Sequence, residues 1–141
     1  MVTFRGLRPP PRPSFGLILC GLNKHFIKGS IPVAAITDLS GFQKSRVSGW
    51  PKLIEGVKAE HKDAATKVAP YFDGAHFAAR ITCPVRMSVG FIEETCAPSA
   101  VYAAYNTLKV TDKAIRHGIG MGHRVFPKFY SELDHQWVRI K

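Results

Sequence analysis

Between residues 80 and 117 the apolar positions change period twice. Val85, Met87 and Val89 alternate with Arg86 and Ser88, the period of two that turns one face of a strand inward, and Pro84 stands ahead of them, where no ladder donor is needed. The strand is predicted over residues 80–90. Val101, Ala104, Tyr105 and Leu108 then recur at i, i+3, i+4 and i+7 behind Pro98, which predicts a helix over residues 98–109 with proline in its first turn. A second short strand is predicted over residues 113–117, a glycine-rich loop over 118–122, and a closing helix over 126–138 that carries Phe126, Phe129, Tyr130, Leu133 and Trp137 on one face. Strand, helix and strand in that order form a parallel unit with a right-handed crossover.

Upstream, the apolar run over residues 31–36 predicts a buried strand that ends at Thr37 and Asp38. Glycine-punctuated loops follow at residues 39–42 and 48–51, then a helix over 53–68 that Pro70 stops, and a short helix over 73–79 capped by Asp73 with Phe77 on its buried side. Residues 1–30 differ in kind. Arg8, Pro9, Pro10, Pro11, Arg12 and Pro13 favour extended, unpaired backbone. The expectation is a basic, proline-rich, poorly ordered segment over residues 1–30 that stays out of the core, followed by one domain over residues 31–141.

A chain of 141 residues buries about two-thirds of its unfolded surface as a single domain. With 45% hydrophobic and 21% charged residues it is globular, and no apolar run reaches the roughly 20 residues of a membrane span. The net charge of +10 raises a nucleic-acid partner, but no dense basic block, aromatic-interleaved motif or zinc-finger spacing supports one. Three cysteines, Cys20, Cys83 and Cys96, without a CxxC pair imply a reducing, cytoplasmic setting. Export is kept open by the short apolar stretch 15–22 behind basic residues.

Reactive side chains of parallel sheets gather at the carboxyl ends of strands. Glu93 follows the first strand of the crossover unit and His123 follows the second, so a carboxylate and an imidazole 30 residues apart meet as an acid that orients a base.

Several blocks carry a family resemblance. Tyr71-Phe72-Asp73, Phe77-Ala78-Ala79-Arg80-Ile81-Thr82-Cys83-Pro84-Val85, Val89-Gly90-Phe91-Ile92-Glu93, Cys96-Ala97-Pro98, Tyr102-Ala103-Ala104-Tyr105-Asn106 and Gly122-His123 follow one another. With Asp38 and Gly49-Trp50-Pro51-Lys52 before them, they resemble the carboxyl half of the acetyl xylan esterase and cephalosporin C deacetylase family over roughly residues 31–138. The resemblance implies a partial α/β-hydrolase fold, a mostly parallel sheet with flanking helices. It implies removal of acetyl groups from sugars by a serine, histidine and acid triad, without metal or organic cofactor. By position Glu93 falls on the triad acid, where the family has aspartate, and His123 on the triad histidine; Glu94 is the alternative acid if the loop register shifts. The implied partner is an acetylated saccharide or small acetyl ester, with no nucleic acid and no membrane, and exposed sheet edges imply possible homo-oligomers.

The resemblance also exposes a gap. The family nucleophile sits in a GxSxG turn ahead of the segment resembling residues 31–38, and no GxSxG occurs in these 141 residues; the corresponding stretch 15–24 offers no suitable serine. The expectation is a truncated carboxyl-terminal portion, weakly active or inactive, with a shifted frame or misplaced start behind residues 1–30. The alternative is a noncatalytic remnant that binds carbohydrate or associates with another subunit. Cys96 is read as packing against the following helix rather than as a nucleophile. Gly118, Gly120 and Gly122 lack GxGxxG spacing and are read as a turn that places His123. His117, His123 and His135 lack the spacing of a metal site.

Overall fold

The structure is a computed structural model that describes residues 2–4 and 15–129. Four strands lie in the order β1 (Val2–Phe4), β2 (Phe26–Ile31), β3 (Val85–Gly90) and β4 (Lys113–Gly118). β2, β3 and β4 run parallel, and β1 pairs antiparallel with β2. Val85 opposes both Gly29 and Lys113, so the three parallel strands share one register. β3 is the central strand of the parallel set. Val85, Met87 and Val89 are buried on one face and Ser88 on the other, as a parallel strand covered on both sides requires.

Helix α1 (Gly16–Leu22) packs on β2 and α4 (Pro98–Thr107) packs on β3, while α3 (Gly74–Ala78) touches both helices; α2 (Lys62–Val68) lies outside this layer. Leu17, Ile31, Val85, Met87, Val89 and Val101 anchor the main core, each contributing about 1.5–3 kcal/mol by burial. Gly21 is required where α1 crosses α3, since a Cβ there would lie 2.4 Å from the Phe77 carbonyl oxygen.

Three expectations are corrected. The strand expected over residues 31–36 ends at Ile31, because Pro32 has no N–H to continue the ladder; its carbonyl accepts the Ser88 hydroxyl instead, and the apolar residues that follow bury as loop. Residues 16–31 are not excluded from the core: they supply α1 and β2, and Leu17 and Cys20 are buried in the main cluster. The helix expected over residues 53–68 is confined to Lys62–Val68 after a short 3-10 turn at Ala59–His61. A turn closed by the Gly56 N–H on the Lys52 carbonyl occupies its first part, while Ile54 buries with Leu39 and Ala69 in a second small core.

Elsewhere the elements fall where the pattern places them, with trimmed ends. Asp73 caps α3 by accepting from the Ala75 N–H, but Phe77 is only half-buried, the inner face being Ala75 and Ala78. The same carboxylate accepts from the Asp38 and Leu39 N–H groups at 2.9 and 2.8 Å, tying the loop after β2 to α3. Phe126 and Phe129 are buried together with Met121 packed against them; the rest of the predicted closing helix, residues 130–138, lies outside the described residues, as does His135.

Candidate active site

The loops after β3 and β4 are stitched together before either reaches its functional side chain. The Phe91 N–H donates to the Gly118 carbonyl at 2.9 Å, and the Ile92 N–H donates to the Met121 carbonyl at 3.2 Å, so the parallel ladder extends past both strand ends. Gly90 makes this approach possible, because a Cβ at that position would stand 2.2 Å from the Met121 carbonyl oxygen. On the far side, Phe126 closes over Gly118, and the Arg116 guanidinium lies 5.5 Å from the centre of the Phe126 ring. These contacts fix the turn on which His123 stands.

Glu93 and His123 meet there. His123 Nδ1 lies 2.9 Å from Glu93 Oε2, and the other carboxylate oxygen, Oε1, accepts from the Thr95 and Cys96 N–H groups at 2.7 and 3.0 Å. The Glu93 side chain is 4% exposed and that of His123 55% exposed, so a buried acid backs an imidazole that opens to solvent. An ionised carboxylate can only accept hydrogen bonds, which places the shared proton on Nδ1 and leaves the Nε2 lone pair as the base. The backbone donors that hold Glu93 belong to the turn leading into α4, whose amino-terminal dipole favours negative charge nearby. Glu94, the alternative acid, is exposed.

No serine or cysteine side chain among the described residues is hydrogen-bonded to His123. Cys96 is buried at 2% exposure, and burial, reinforced by the charge of Glu93, pushes its thiol from 9.0 up to about 11. That is the opposite of what an activated nucleophile needs. Cys20 and Cys83 are both buried, and a hydrogen bond to Cys83, added to burial, raises the Cys20 thiol. His117 is engaged elsewhere: its Nε2 lies 2.7 Å from the Tyr102 hydroxyl, and Phe91 stacks on its ring. Among the described residues no group of three His, Cys, Asp or Glu side chains gathers as a metal-binding cluster.

Sequence reasoning does not anticipate the rigid loop beneath this end of the sheet. Asp38 adopts a positive φ of 48° and accepts two hydrogen bonds of 2.8 Å and one of 3.0 Å from Arg46, and Gly49 packs so closely that a Cβ would lie 1.9 Å from the Thr37 carbonyl oxygen. The nearest signal in the sequence is the density of glycine and proline over residues 41–56.

The model of the acetyl xylan esterase (AXE1) family matches residues 39–140. The acetyl esterase Axe7A of Xylanibacter ruminicola is 24% identical over 102 residues, which cover 72% of this chain and 23% of that protein. Among solved structures, the acetyl xylan esterase from Paenibacillus sp. R4 superposes with a TM-score of 0.74 at 23% identity, and acetyl xylan esterase 1 from Thermoanaerobacterium sp. JW/SL YS485 with a TM-score of 0.72 at 22% identity. In both cases 89% of this chain covers 41% of the solved one, so the chain spans well under half of these relatives. The likeness in structure establishes the α/β-hydrolase fold over that part.

Proposed function

The chain belongs to the acetyl xylan esterase family, and on that premise we propose that Glu93 and His123 are the acid and base of an acetyl-ester hydrolase site acting on acetylated saccharides or small acetyl esters. The carrying observation is the 2.9 Å contact between a buried carboxylate and the Nδ1 of a solvent-open histidine. In such a pair Nε2 takes the proton from the attacking oxygen as the tetrahedral intermediate forms, then returns it to the departing sugar hydroxyl as the acetyl carbonyl re-forms. Glu93 holds the ring and stabilises the imidazolium between those two transfers. Its extra methylene relative to aspartate is accommodated because both oxygens are fixed, one on His123 and one on backbone N–H groups.

The 141 residues contain no GxSxG, so the nucleophile and the oxyanion donor that accompanies it are missing from them. We therefore propose that the chain alone hydrolyses acetyl esters weakly or not at all, with water as the acceptor of the base's help. A second reading, a noncatalytic unit that binds carbohydrate or joins another subunit, is favoured by the same missing turn and by β4, which has one strand neighbour among the described residues.

Hydrolysis of an aryl acetate and of acetylated xylo-oligosaccharide by the chain and by its His123→Ala variant separates the two. Slow turnover that falls about tenfold or more in the variant is the expected result. Turnover unchanged by the substitution defeats the catalytic assignment, and turnover at the buffer level in both proteins favours the noncatalytic unit.

A further inference from the structure

The loop that follows β2 forms an open groove of about 610 Å³ whose walls include Phe42, Arg46, Lys52 and Glu55. The residues that build it are not equally free. Arg46 is held on Asp38 by bonds of 2.8 to 3.0 Å, and Ser48 Oγ accepts the Phe42 N–H at 2.9 Å. Glu55 differs: its Oε2 is shielded from solvent and has no hydrogen-bond partner among the described residues. A desolvated carboxylate oxygen without a donor is costly and asks for one. Lys52, opposite in charge, lines the same groove on backbone of positive φ, 56°, as does Ser45 at 56°, a conformation non-glycine residues adopt at some cost.

A groove that offers an acceptor at Glu55, a cationic donor at Lys52 and exposed apolar rings at Phe42 and Trp50 suits a particular chemistry. An anionic ligand is repelled by Glu55 and finds Arg46 already neutralised. An apolar ligand leaves the Glu55 oxygen unpaired. A neutral polyhydroxyl ligand satisfies both, since each hydroxyl donates to a carboxylate as readily as it accepts from an ammonium, while its C–H face covers an aromatic ring.

The position of the groove gives this chemistry a use. It lies on the loop leaving the carboxyl end of β2, as Glu93 and His123 lie on the loops leaving β3 and β4. The Val47 carbonyl in its wall accepts from Ser99 Oγ at 3.3 Å, and Ser99 stands three residues after Cys96, whose N–H holds Glu93. We propose that this groove is a saccharide subsite that binds a neutral sugar unit neighbouring the acetylated one, with Glu55 and Lys52 as its hydroxyl-recognising pair. The subsite is read from its own residues; only the identity of the neighbouring unit as the acetylated one rests on the proposed ester-hydrolase site.

The test is equilibrium binding, which needs no turnover. The full chain is titrated by calorimetry with unacetylated xylotriose, cellotriose and mannotriose, beside Glu55→Gln, Lys52→Ala and His123→Ala variants whose thermal melts match the wild type. Saturable binding of at least one trisaccharide is expected, weakened about tenfold in each groove variant and within about twofold of wild type in His123→Ala. Absence of saturable binding to all of them up to about 10 mM, or binding indifferent to both groove substitutions, overturns the subsite. Aryl acetate carries no sugar, so loss of His123-dependent hydrolysis of that ester with trisaccharide binding intact removes the ester-hydrolase reading and keeps the groove, whereas the converse removes the groove alone.

Discussion

Glu93 accepts three hydrogen bonds from three residues, two of them backbone donors in its own loop and the third the ring of His123. That division fixes the carboxylate without help from the imidazole, so the acid is in place before the base arrives. The pairing was readable from sequence because both residues stand just past the ends of predicted parallel strands; the choice between Glu93 and Glu94 needed the loop geometry. Cys96, beside this acid, is a packing residue with a measurable signature. Its thiol pKa is raised from 9.0 to about 11, so the folded state binds that proton more tightly than the unfolded state, and the resulting stability is complete below about pH 9 and lost as pH rises through about 11. Urea unfolding of the wild type is expected to lose roughly 1–3 kcal/mol more between those pH values than Cys96→Ala loses. Parallel pH profiles for the two proteins would contradict that account.

Among the elements, β3, α4 and β4 were legible because each shows an unmixed period and a clear stop, whereas β2 was displaced. The apolar run after Ile31 looks like strand, yet Pro32 ends the ladder and the residues that do pair, Phe26–Ile31, include lysine, glycine and serine. Their polar character hid a strand that is buried only toward its end. Helix α1 was obscured in a similar way by the neighbouring arginines and prolines, although Leu17 and Cys20 at i and i+3 already mark a buried face. The tie from Asp73 to the Asp38 and Leu39 N–H groups spans 35 and 34 residues, and no local period announces such a bond. The loop pair past β3 and β4 depends on Gly90. Gly90→Ala would force the Met121 carbonyl away from its 2.2 Å approach to the new Cβ, shifting the turn that carries His123. The expected outcome is far-ultraviolet circular dichroism close to wild type with His123-dependent aryl acetate hydrolysis reduced about tenfold or more. Unchanged hydrolysis would show that the turn does not position the base.

At the scale of the molecule, the main core joins α1, β2, β3, α3 and α4 through one set of buried residues, so residues that differ in composition along the chain fold as one unit. A single cooperative urea transition, coincident by tryptophan fluorescence and circular dichroism, is the expected behaviour; two separated transitions would place residues 15–31 in an independent unit. The same continuity holds the loops of three parallel strands at one end, where Glu93, His123 and the groove beside Glu55 all lie. A family site is thus laid out on a sheet whose nucleophile turn is missing from the 141 residues, and the arrangement of acid and base is the claim on which the functional reading stands. Nitrogen-15 NMR of the His123 ring tests it most directly. The account predicts that neutral His123 is the Nδ1–H tautomer with an unprotonated Nε2, and that Glu93→Gln disturbs this state. A neutral ring protonated on Nε2, or a His123 spectrum indifferent to Glu93→Gln, would contradict it.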